Sequence, residues 1–143
     1  MSFNVLIVDD SRSMRGVIKK IVSISGFKVD QCFEAGNGRE ALGVLAGNWV
    51  DVIMSDINMP EMSGFKLLEE LKKDNLFKNI PVVIITTESS KKQMEYAFSL
   101  GAKGFIKKPF LPEEVKKILY EVIGMDDEGK YEENRGDDET LDF

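Results

Sequence analysis

The feature that most constrains this chain is an alternation of short apolar runs with segments of helical periodicity, repeated five times. The runs that predict strands are Val5–Val8, Lys28–Phe33, Val52–Ser55, Pro81–Ile85 and Phe105–Ile106. Runs that are apolar on both faces are typical of strands buried in a parallel sheet. The second run is the least apolar, so we expect it at an edge. Strands alternating with helices at this spacing predict βαβ units and an α/β fold.

Five helices are predicted between and after these strands. The first ends at Gly26, the second begins with Asn37 as its cap, the fourth begins at Ser89 or Ser90, and the fifth closes at Gly124. The side chains expected to face the core are Met14, Val17, Ile18, Ile21 and Val22, then Phe65, Leu67, Leu68 and Leu71, then Met94, Ala97 and Phe98, and finally Val115, Ile118, Leu119 and Val122.

Size and composition indicate one globular domain. The 143 residues are 43% hydrophobic, and no apolar run approaches the roughly 18 residues of a membrane span. The N-terminus lacks the basic-then-apolar pattern of a signal peptide. A single cysteine, Cys32, excludes an internal disulfide and suits a reducing compartment. We therefore expect a cytoplasmic protein without a membrane partner.

The charge of the chain is unevenly distributed. Residues 125–143 hold nine acidic and two basic side chains, a net of −7, which leaves +1 for residues 1–124 out of the total of −6. We predict a folded domain over 1–124 and an acidic, disordered tail over 125–143, because the tail has no apolar period. The domain lacks the basic footprint that nucleic-acid binding requires.

Polar side chains follow the predicted strands at their carboxyl ends. Asp9 and Asp10 follow the first strand, Asp56 follows the third, Thr86 follows the fourth, and Lys108 follows the fifth. In a parallel sheet these ends share one edge, where ligands bind. Three carboxylates close together repel one another unless a cation compensates, and hard oxygen ligands favour Mg²⁺. The sequence predicts an acidic Mg²⁺ pocket in which one Asp accepts a phosphoryl group.

Each of these signals has a simpler interpretation when it is taken alone. An Asp-Asp pair after a strand is more often a helix cap or a solvated turn, and a threonine at a strand end is usually just a good strand former. Trp49 and the several methionines are more simply packing and loop residues than a cofactor site. The functional interpretation therefore depends on the arrival of all five side chains at one edge.

Four motifs resemble those of response-regulator receiver domains, especially CheY-type single-domain regulators. They are Asp9-Asp10, Asp56-Ile-Asn-Met-Pro60 with Gly64, Thr86-Thr-Glu88, and Lys107-Lys108-Pro109-Phe110. The resemblance covers about residues 3 to 124. It implies a (βα)5 flavodoxin-like (CheY-like) three-layer sandwich with strand order 2-1-3-4-5, of which CheY is itself a standard example.

The resemblance also implies the roles of the acidic residues. Asp56 would be the phosphoacceptor nucleophile. Asp10 would bind Mg²⁺, or Mn²⁺ in its place, together with Asp56 and the backbone carbonyl of Asn58. Asp9 would act through a metal-bound water. Catalysis would then consist of positioning and charge compensation, as in other phosphoryl transfers.

Other residues would bind the phosphate and respond to it. Lys108, placed by a cis peptide bond to Pro109, would pair with Asp56 and then with its phosphate. Thr86 would hydrogen-bond the phosphate and move on activation, and Phe105 would fill the space that Thr86 leaves. Phe105 stands where a tyrosine is typical of chemotaxis regulators, so its ring can rotate but cannot donate a hydrogen bond.

Asn58 and Glu88 match the two positions that tune hydrolysis of the aspartyl phosphate in related proteins. Their combination resembles that of CheY proteins served by a dedicated phosphatase. It predicts an aspartyl phosphate that lasts seconds to minutes rather than hours.

The resemblance implies a stand-alone response regulator of a two-component system. The chain has no histidine, so a phosphohistidine must come from a partner histidine kinase. The expected target surface is the face formed by the fourth helix, fifth strand and fifth helix. The expected oligomeric state is a monomer or weak dimer. Asp137–Phe143 is acidic and apolar like the peptides that bind that face, which suggests the hypothesis that the tail docks there.

Other functions remain open at this point. A receiver in a phosphorelay or an adaptor role would need the same residues as a chemotaxis regulator. A small aspartyl-phosphate phosphatase would want its first two aspartates one residue apart, whereas Asp9 and Asp10 are adjacent. A flavodoxin would need a Ser/Thr-rich phosphate loop after the first strand, and there is no glycine-rich nucleotide loop.

Overall fold

A computed structural model describes residues 1–87 and 90–125. Five parallel strands form one sheet in the order β2-β1-β3-β4-β5. The strands are β1 (Phe3–Val8), β2 (Val29–Ala35), β3 (Val52–Ser55), β4 (Val82–Thr86) and β5 (Gly104–Lys107). The helices are α1 (Arg12–Ser25), α2 (Gly38–Gly47), α3 (Gly64–Lys73), α4 (Lys91–Ser99) and α5 (Pro112–Val122). The α/β class and the strand order are confirmed.

The sheet lies between two layers of helices because its central strands are apolar on both faces. In β1, Val5 and Ile7 pack with α1 and α5, whereas Leu6 and Val8 pack with α2, α3 and α4. Successive side chains of a strand point to opposite faces, so each half of the apolar run contributes to its own core. The weakly apolar β2 lies at one edge of the sheet, as predicted, and β5 lies at the other.

Polar caps set where four of the helices begin. Ser11, Asn37, Ser63 and Ser90 each accept a hydrogen bond from a backbone N–H of the first turn. Such caps satisfy donors that would otherwise lack a partner. Of the two predicted caps for α4, Ser90 is the one used. Gly26 closes α1 with a φ of 96°, a left-handed conformation that glycine adopts without strain.

The prediction of the core was wrong at two apolar residues, because the buried stripe of a helix is narrower than its apolar stripe. Val17 and Phe98 are 50% and 45% exposed, since the buried stripes run through Ile18 in α1 and Ala97 in α4. Trp49 lies in the loop before β3 and is 78% exposed, as expected of a loop residue. The strand bounds also differ: β2 continues to Ala35 and β4 starts after Pro81.

Tyr120 is a core residue that the apolar pattern did not reveal. Its ring lies 4.7 Å from the ring of Phe27, centroid to centroid, and its hydroxyl accepts a hydrogen bond from the backbone N–H of Lys28. A buried tyrosine needs such a partner for its polar tip. The packed body also includes Met125, which the sequence assigned to the tail and which is buried.

Two parts of the sequence predictions lie outside the described residues. Glu88, the second hydrolysis-tuning residue, is one, and residues 126–143 are the other. The division into 1–124 and 125–143, and the docking of the tail, therefore remain predictions. Among the described helices, none combines the length and apolar character needed to cross a membrane.

Candidate functional site

Three carboxylates meet at the carboxyl edge of the sheet. Asp9 and Asp10 follow β1, and Asp56 follows the adjacent β3, whose pairing with β1 runs from Val5–Val52 to Val8–Ser55. One oxygen from each of the three carboxylates lies within 4.8 Å of the others. Asp9 is buried, Asp56 is half-buried and Asp10 is exposed. A cluster with this geometry could hold a metal ion, with Asp10 on its solvent side.

Backbone groups hold both the main chain and the side chain of Asp56. Its N–H donates to the carbonyl of Val8 at 2.9 Å, which extends the β1–β3 ladder past the end of the strand. Its Oδ1 accepts from the backbone N–H of Ile57 at 2.7 Å. The other oxygen, Oδ2, lies 3.4 Å from the Nζ of Lys108. One carboxylate oxygen is therefore anchored to the backbone, and the other pairs with the lysine ammonium.

Lys108 bridges two of the three acids. Its Nζ lies 2.9 Å from Oδ2 of Asp9 and 3.4 Å from Oδ2 of Asp56, with only 10% of its side chain exposed. Its backbone N–H donates to the carbonyl of Thr86 at 2.8 Å, and the predicted cis bond to Pro109 is present. These ion pairs balance one of the three negative charges. The site therefore retains an excess of negative charge, which suits a divalent cation.

Arg15 supports the acidic loop from the first helix. Its Nη1 donates to the backbone carbonyl of Asp9 at 2.6 Å, and its Nε donates to Glu34 at 2.9 Å. The Oδ1 of Asp9 also accepts from the N–H of Ser11. Sequence reasoning missed Arg15, because a single arginine one turn into a helix is ordinary. The signal that could have found it is the acidic Glu34 at the end of the neighbouring strand.

The loop between β3 and α3 follows Asp56 and contains one strained residue. Asn58 is exposed at its start. Glu61 has a φ of 60°, and the N–H of Met62 donates to the carbonyl of Pro60 at 2.6 Å across it. A bond between residues two apart defines a γ-turn, and a positive φ there is uncommon outside glycine. The loop rejoins the fold at Gly64.

Thr86 and Phe105 lie on adjacent strands and on the same face of the sheet. Thr86 pairs with Lys107 and Ile84 pairs with Phe105, so the two residues are one step apart diagonally. Thr86 is buried, whereas Phe105 is partly buried against the core that contains Ile84. Cross-strand neighbours on one face interact directly or diagonally. This geometry is compatible with the predicted coupling between the two side chains.

The structure thus brings Asp9, Asp10, Asp56 and Lys108 together, with Thr86 beside Lys108. A five-stranded parallel α/β sheet with these residues at its carboxyl edge has the arrangement expected of a receiver domain. The comparison with known families agrees with this class. The chain belongs to the response regulator receiver domain family, whose model matches residues 5–120. It is therefore a receiver domain of two-component signalling.

Within that family the chain is closely related to CheY chemotaxis regulators. Chemotaxis protein CheY1 of Helicobacter pylori strain J99 is 41% identical over 123 residues, covering 85% of this chain and 98% of that protein. The CheY homolog of Campylobacter jejuni is 37% identical over 120 residues, covering 83% and 91%. The structure of chemotaxis response regulator CheY4 of Vibrio cholerae superposes with a TM-score of 0.74 at 36% identity, covering 85% and 99%.

Proposed function

We propose that this receiver accepts a phosphoryl group on Asp56 from the phosphohistidine of a partner histidine kinase, in a Mg²⁺-dependent reaction. The observation that carries the proposal is the position of the Lys108 ammonium, which bridges Asp9 and Asp56 from 2.9 and 3.4 Å. A buried ion pair adds little net stability, because desolvation offsets the attraction between its charges. The bridge is therefore better explained by a role in the chemistry of the site, namely compensating the charge of a phosphoryl group on Asp56.

The donor set of the cluster suits a hard divalent ion. Asp10 and Asp56 would hold Mg²⁺ or Mn²⁺, with the backbone carbonyl of Asn58 as a third ligand, and Asp9 would act through a bound water. Mg²⁺ commonly binds through one or two carboxylates while it keeps several waters, which agrees with the exposure of Asp10. The ion would supply positive charge for the phosphoryl oxygens when it is bound.

The transfer itself needs only positioning from the protein. A carboxylate oxygen of Asp56 attacks phosphorus in line as the phosphorus–nitrogen bond of the donor phosphohistidine breaks, and the electron pair leaves with the imidazole. Lys108 exchanges its contact with the Asp56 carboxylate for a contact with a phosphoryl oxygen. The hydroxyl of Thr86 donates to another. Charge compensation of this kind is the main source of catalysis in phosphoryl transfer.

An apolar groove beside the site supports docking of the kinase. It has a volume of about 270 Å³, and its lining includes Met14, Val17 and Ile21 from α1 together with Thr87 and Lys108. The exposed Val17, which was wrongly predicted to lie in the core, would therefore contact the kinase. When the phosphohistidine of the kinase reaches Asp56, the surface around that histidine would lie across this groove, next to Lys108.

The proposed output is a change in the face formed by α4, β5 and α5. Movement of Thr86 toward the phosphate would let Phe105 turn inward. A groove of about 550 Å³ runs along this face, and its lining includes Phe105, Lys107 and Lys117. We propose a protein target there, in a chemotaxis pathway as for the CheY relatives. A phosphorelay or adaptor role would use the same switch.

The domain would also promote loss of its own phosphoryl group. Asn58 is exposed at the start of the loop after Asp56, where it can contact an incoming water or a phosphatase. With Glu88, it supports a lifetime of seconds to minutes. We therefore assign the domain a signalling role, in which Asp56 carries the phosphoryl group, rather than an enzymatic one.

The test uses a small acyl phosphate as the donor. Incubation with acetyl phosphate and Mg²⁺ should add one phosphoryl group per chain by intact-mass spectrometry, and chelation of the metal should abolish it. Asp56→Asn is the matched variant, which should acquire none. Release of free phosphate at many turnovers without a stable adduct on the parent protein would point to a phosphatase and contradict the proposal.

A further inference from the structure

An apolar cleft lies at the amino-terminal edge of the sheet, opposite the edge that carries Asp56. It occupies about 520 Å³ between the end of α2, the loop before β3 and the turn after α3. The residues that form most of its wall are Leu45, Trp49, Val50, Leu76, Phe77 and Ile80. None of the residues lining this Trp49 cleft is charged. An apolar hollow of this kind is a candidate binding site.

Two side chains of the Trp49 cleft are largely exposed, and hydrogen bonds fix the loops that carry them. Trp49 and Leu76 are 78% and 82% exposed. The indole Nε1 of Trp49 donates to Asp51 at 3.0 Å, and Asn4 donates to the Trp49 carbonyl at 2.8 Å. The N–H of Leu76 donates to the Asp74 carboxylate at 2.8 Å. Because the walls are already ordered, binding there loses little conformational freedom.

The end of α5 lies at the same edge of the molecule. Met125 is buried, and its N–H donates to the carbonyl of Tyr120 at 2.7 Å, which fixes the point from which the chain continues. A shallow depression lined by Val122, Asp51 and Asn79 connects this point with the loops that border the Trp49 cleft. The chain after Met125 therefore starts close to the cleft.

The sequence after Met125 contains the apolar residues that such a cleft would take. Residues 126–143 carry a net charge of −7 and include Leu141 and Phe143. The sixteen residues that follow Met125, up to Leu141, could span about 55 Å when extended, which is ample for this path. Exposed Lys72 and Lys78 adjoin the turn that forms one wall. We propose that Leu141 and Phe143 occupy the Trp49 cleft of their own chain, with the acidic residues around them beside these lysines.

The groove on the α4–β5–α5 face is the alternative binding site for the tail. Four of its eight lining residues are charged, namely Lys107, Glu114, Lys117 and Glu121. Exposed ion pairs contribute little to binding, so apolar contact decides where the segment binds. A tethered segment also has an effective concentration of the order of 1 mM, so a weak apolar site is enough. The uncharged, apolar lining therefore favours the Trp49 cleft over this groove.

Trp49 is the sole tryptophan of the chain and therefore reports on its own cleft. We would measure its emission maximum and its quenching by acrylamide in the full chain. In the double variant Leu141→Ser, Phe143→Ser, the emission should shift to the red, and the quenching constant should rise at least about 1.5-fold, since at least half of the segments are docked when the effective concentration exceeds the dissociation constant. Leu76→Ser, at an exposed position, should give the same change.

Two further measurements distinguish docking of the tail in its own chain from other causes of a change at Trp49. Phe98→Ser removes an apolar side chain that is 45% exposed on α4 and does not line the cleft, so it should leave Trp49 unchanged. The spectra of the full chain should not depend on protein concentration between about 1 and 100 µM, because a tethered segment binds independently of other copies. Unchanged quenching in the Leu141, Phe143 double variant overturns the proposal, and so does a change that scales with concentration, which would indicate a second copy in the cleft.

Discussion

The backbone of Gly64 packs directly against the backbone of Asp56. A Cβ atom on Gly64 would overlap the carbonyl oxygen of Asp56 and lie 3.0 Å from the Cα of Ile57. The N–H of Gly64 also donates to the carbonyl of Ile57 at 2.8 Å. The start of α3 therefore holds the backbone on which the reactive carboxylate sits. Neither neighbour can move away without shifting that carboxylate.

The first prediction follows from this contact. Gly64→Ala should lower the free energy of unfolding by about 1–3 kcal/mol, the usual cost of forcing extra atoms into a packed region. Gly43→Ala is the matched control, because a Cβ there meets nothing within 4 Å in the middle of α2, and it should stabilise by about 0.5–1 kcal/mol. Urea unfolding measures both. Equal effects of the two substitutions would show that the Gly64 contact is not rigid.

The second prediction concerns Arg15 as a positioning residue. Arg15→Met removes the hydrogen bond to the Asp9 carbonyl and should weaken Mg²⁺ binding about 10-fold, a typical loss for residues that orient metal ligands. Calorimetric titration with Mg²⁺ measures the change. Lys19→Met is the control, because Lys19 also pairs with Glu34, at 3.9 Å, but is half exposed and has no ion pair with the three acids of the cluster in the described part of the chain. Arg15→Lys should recover part of the affinity. An unchanged Mg²⁺ affinity in Arg15→Met would exclude this role.

The third prediction concerns the strained turn after Asp56. Glu61 has a φ of 60°, and a left-handed conformation costs an ordinary residue roughly 1–2 kcal/mol. Asparagine adopts that conformation more readily. Glu61→Asn should therefore raise the free energy of unfolding by about 0.5–1 kcal/mol. The same exchange at Glu69, inside α3, should lower it, and thermal unfolding distinguishes the two. A loss of stability at position 61 would mean that the turn is relaxed.

The fourth prediction concerns the thiol on the edge strand. Burial raises the pKa of Cys32 above its ordinary value of 9.0; Lys19 opposes this effect and Glu34 adds to it. The folded state thus disfavours the thiolate, so stability is unaffected at neutral pH and declines as pH rises past the pKa of the unfolded chain. The pH midpoint of iodoacetamide alkylation should be higher in the native protein than in urea. A native midpoint at or below the denatured one would contradict this.

The sequence pattern was sufficient for the α/β class and the parallel sheet, because each strand is a short apolar run and most helices have a recognisable stop or cap, whereas the strand order came from the family resemblance. It was also sufficient for the site, since the ends of parallel strands must share an edge and the polar residues stand at those ends. Asp9, Asp10 and Asp56 converge for that reason. Their individual roles came from the family resemblance and not from the apolar pattern.

The rest depended on contacts between residues distant in sequence. Nothing local distinguishes Val17, which lines the groove beside Lys108, from the buried Ile18 next to it. Arg15 gains its role only when the end of β2 brings Glu34 alongside. The Trp49 cleft likewise forms between two loops whose separate sequences look ordinary. Properties of this kind depend on tertiary packing and cannot be obtained from periodicity.

The central claim is that Asp56 carries the phosphoryl group. The most direct measurement is to phosphorylate the protein with acetyl phosphate and Mg²⁺, reduce the acyl phosphate with borohydride, and sequence the peptides by mass spectrometry. Reduction converts a phosphorylated aspartate to homoserine and leaves free carboxylates intact. The account predicts homoserine at position 56 and at no other acid of the cluster. Homoserine at position 9 or 10 instead, or none anywhere, would contradict it.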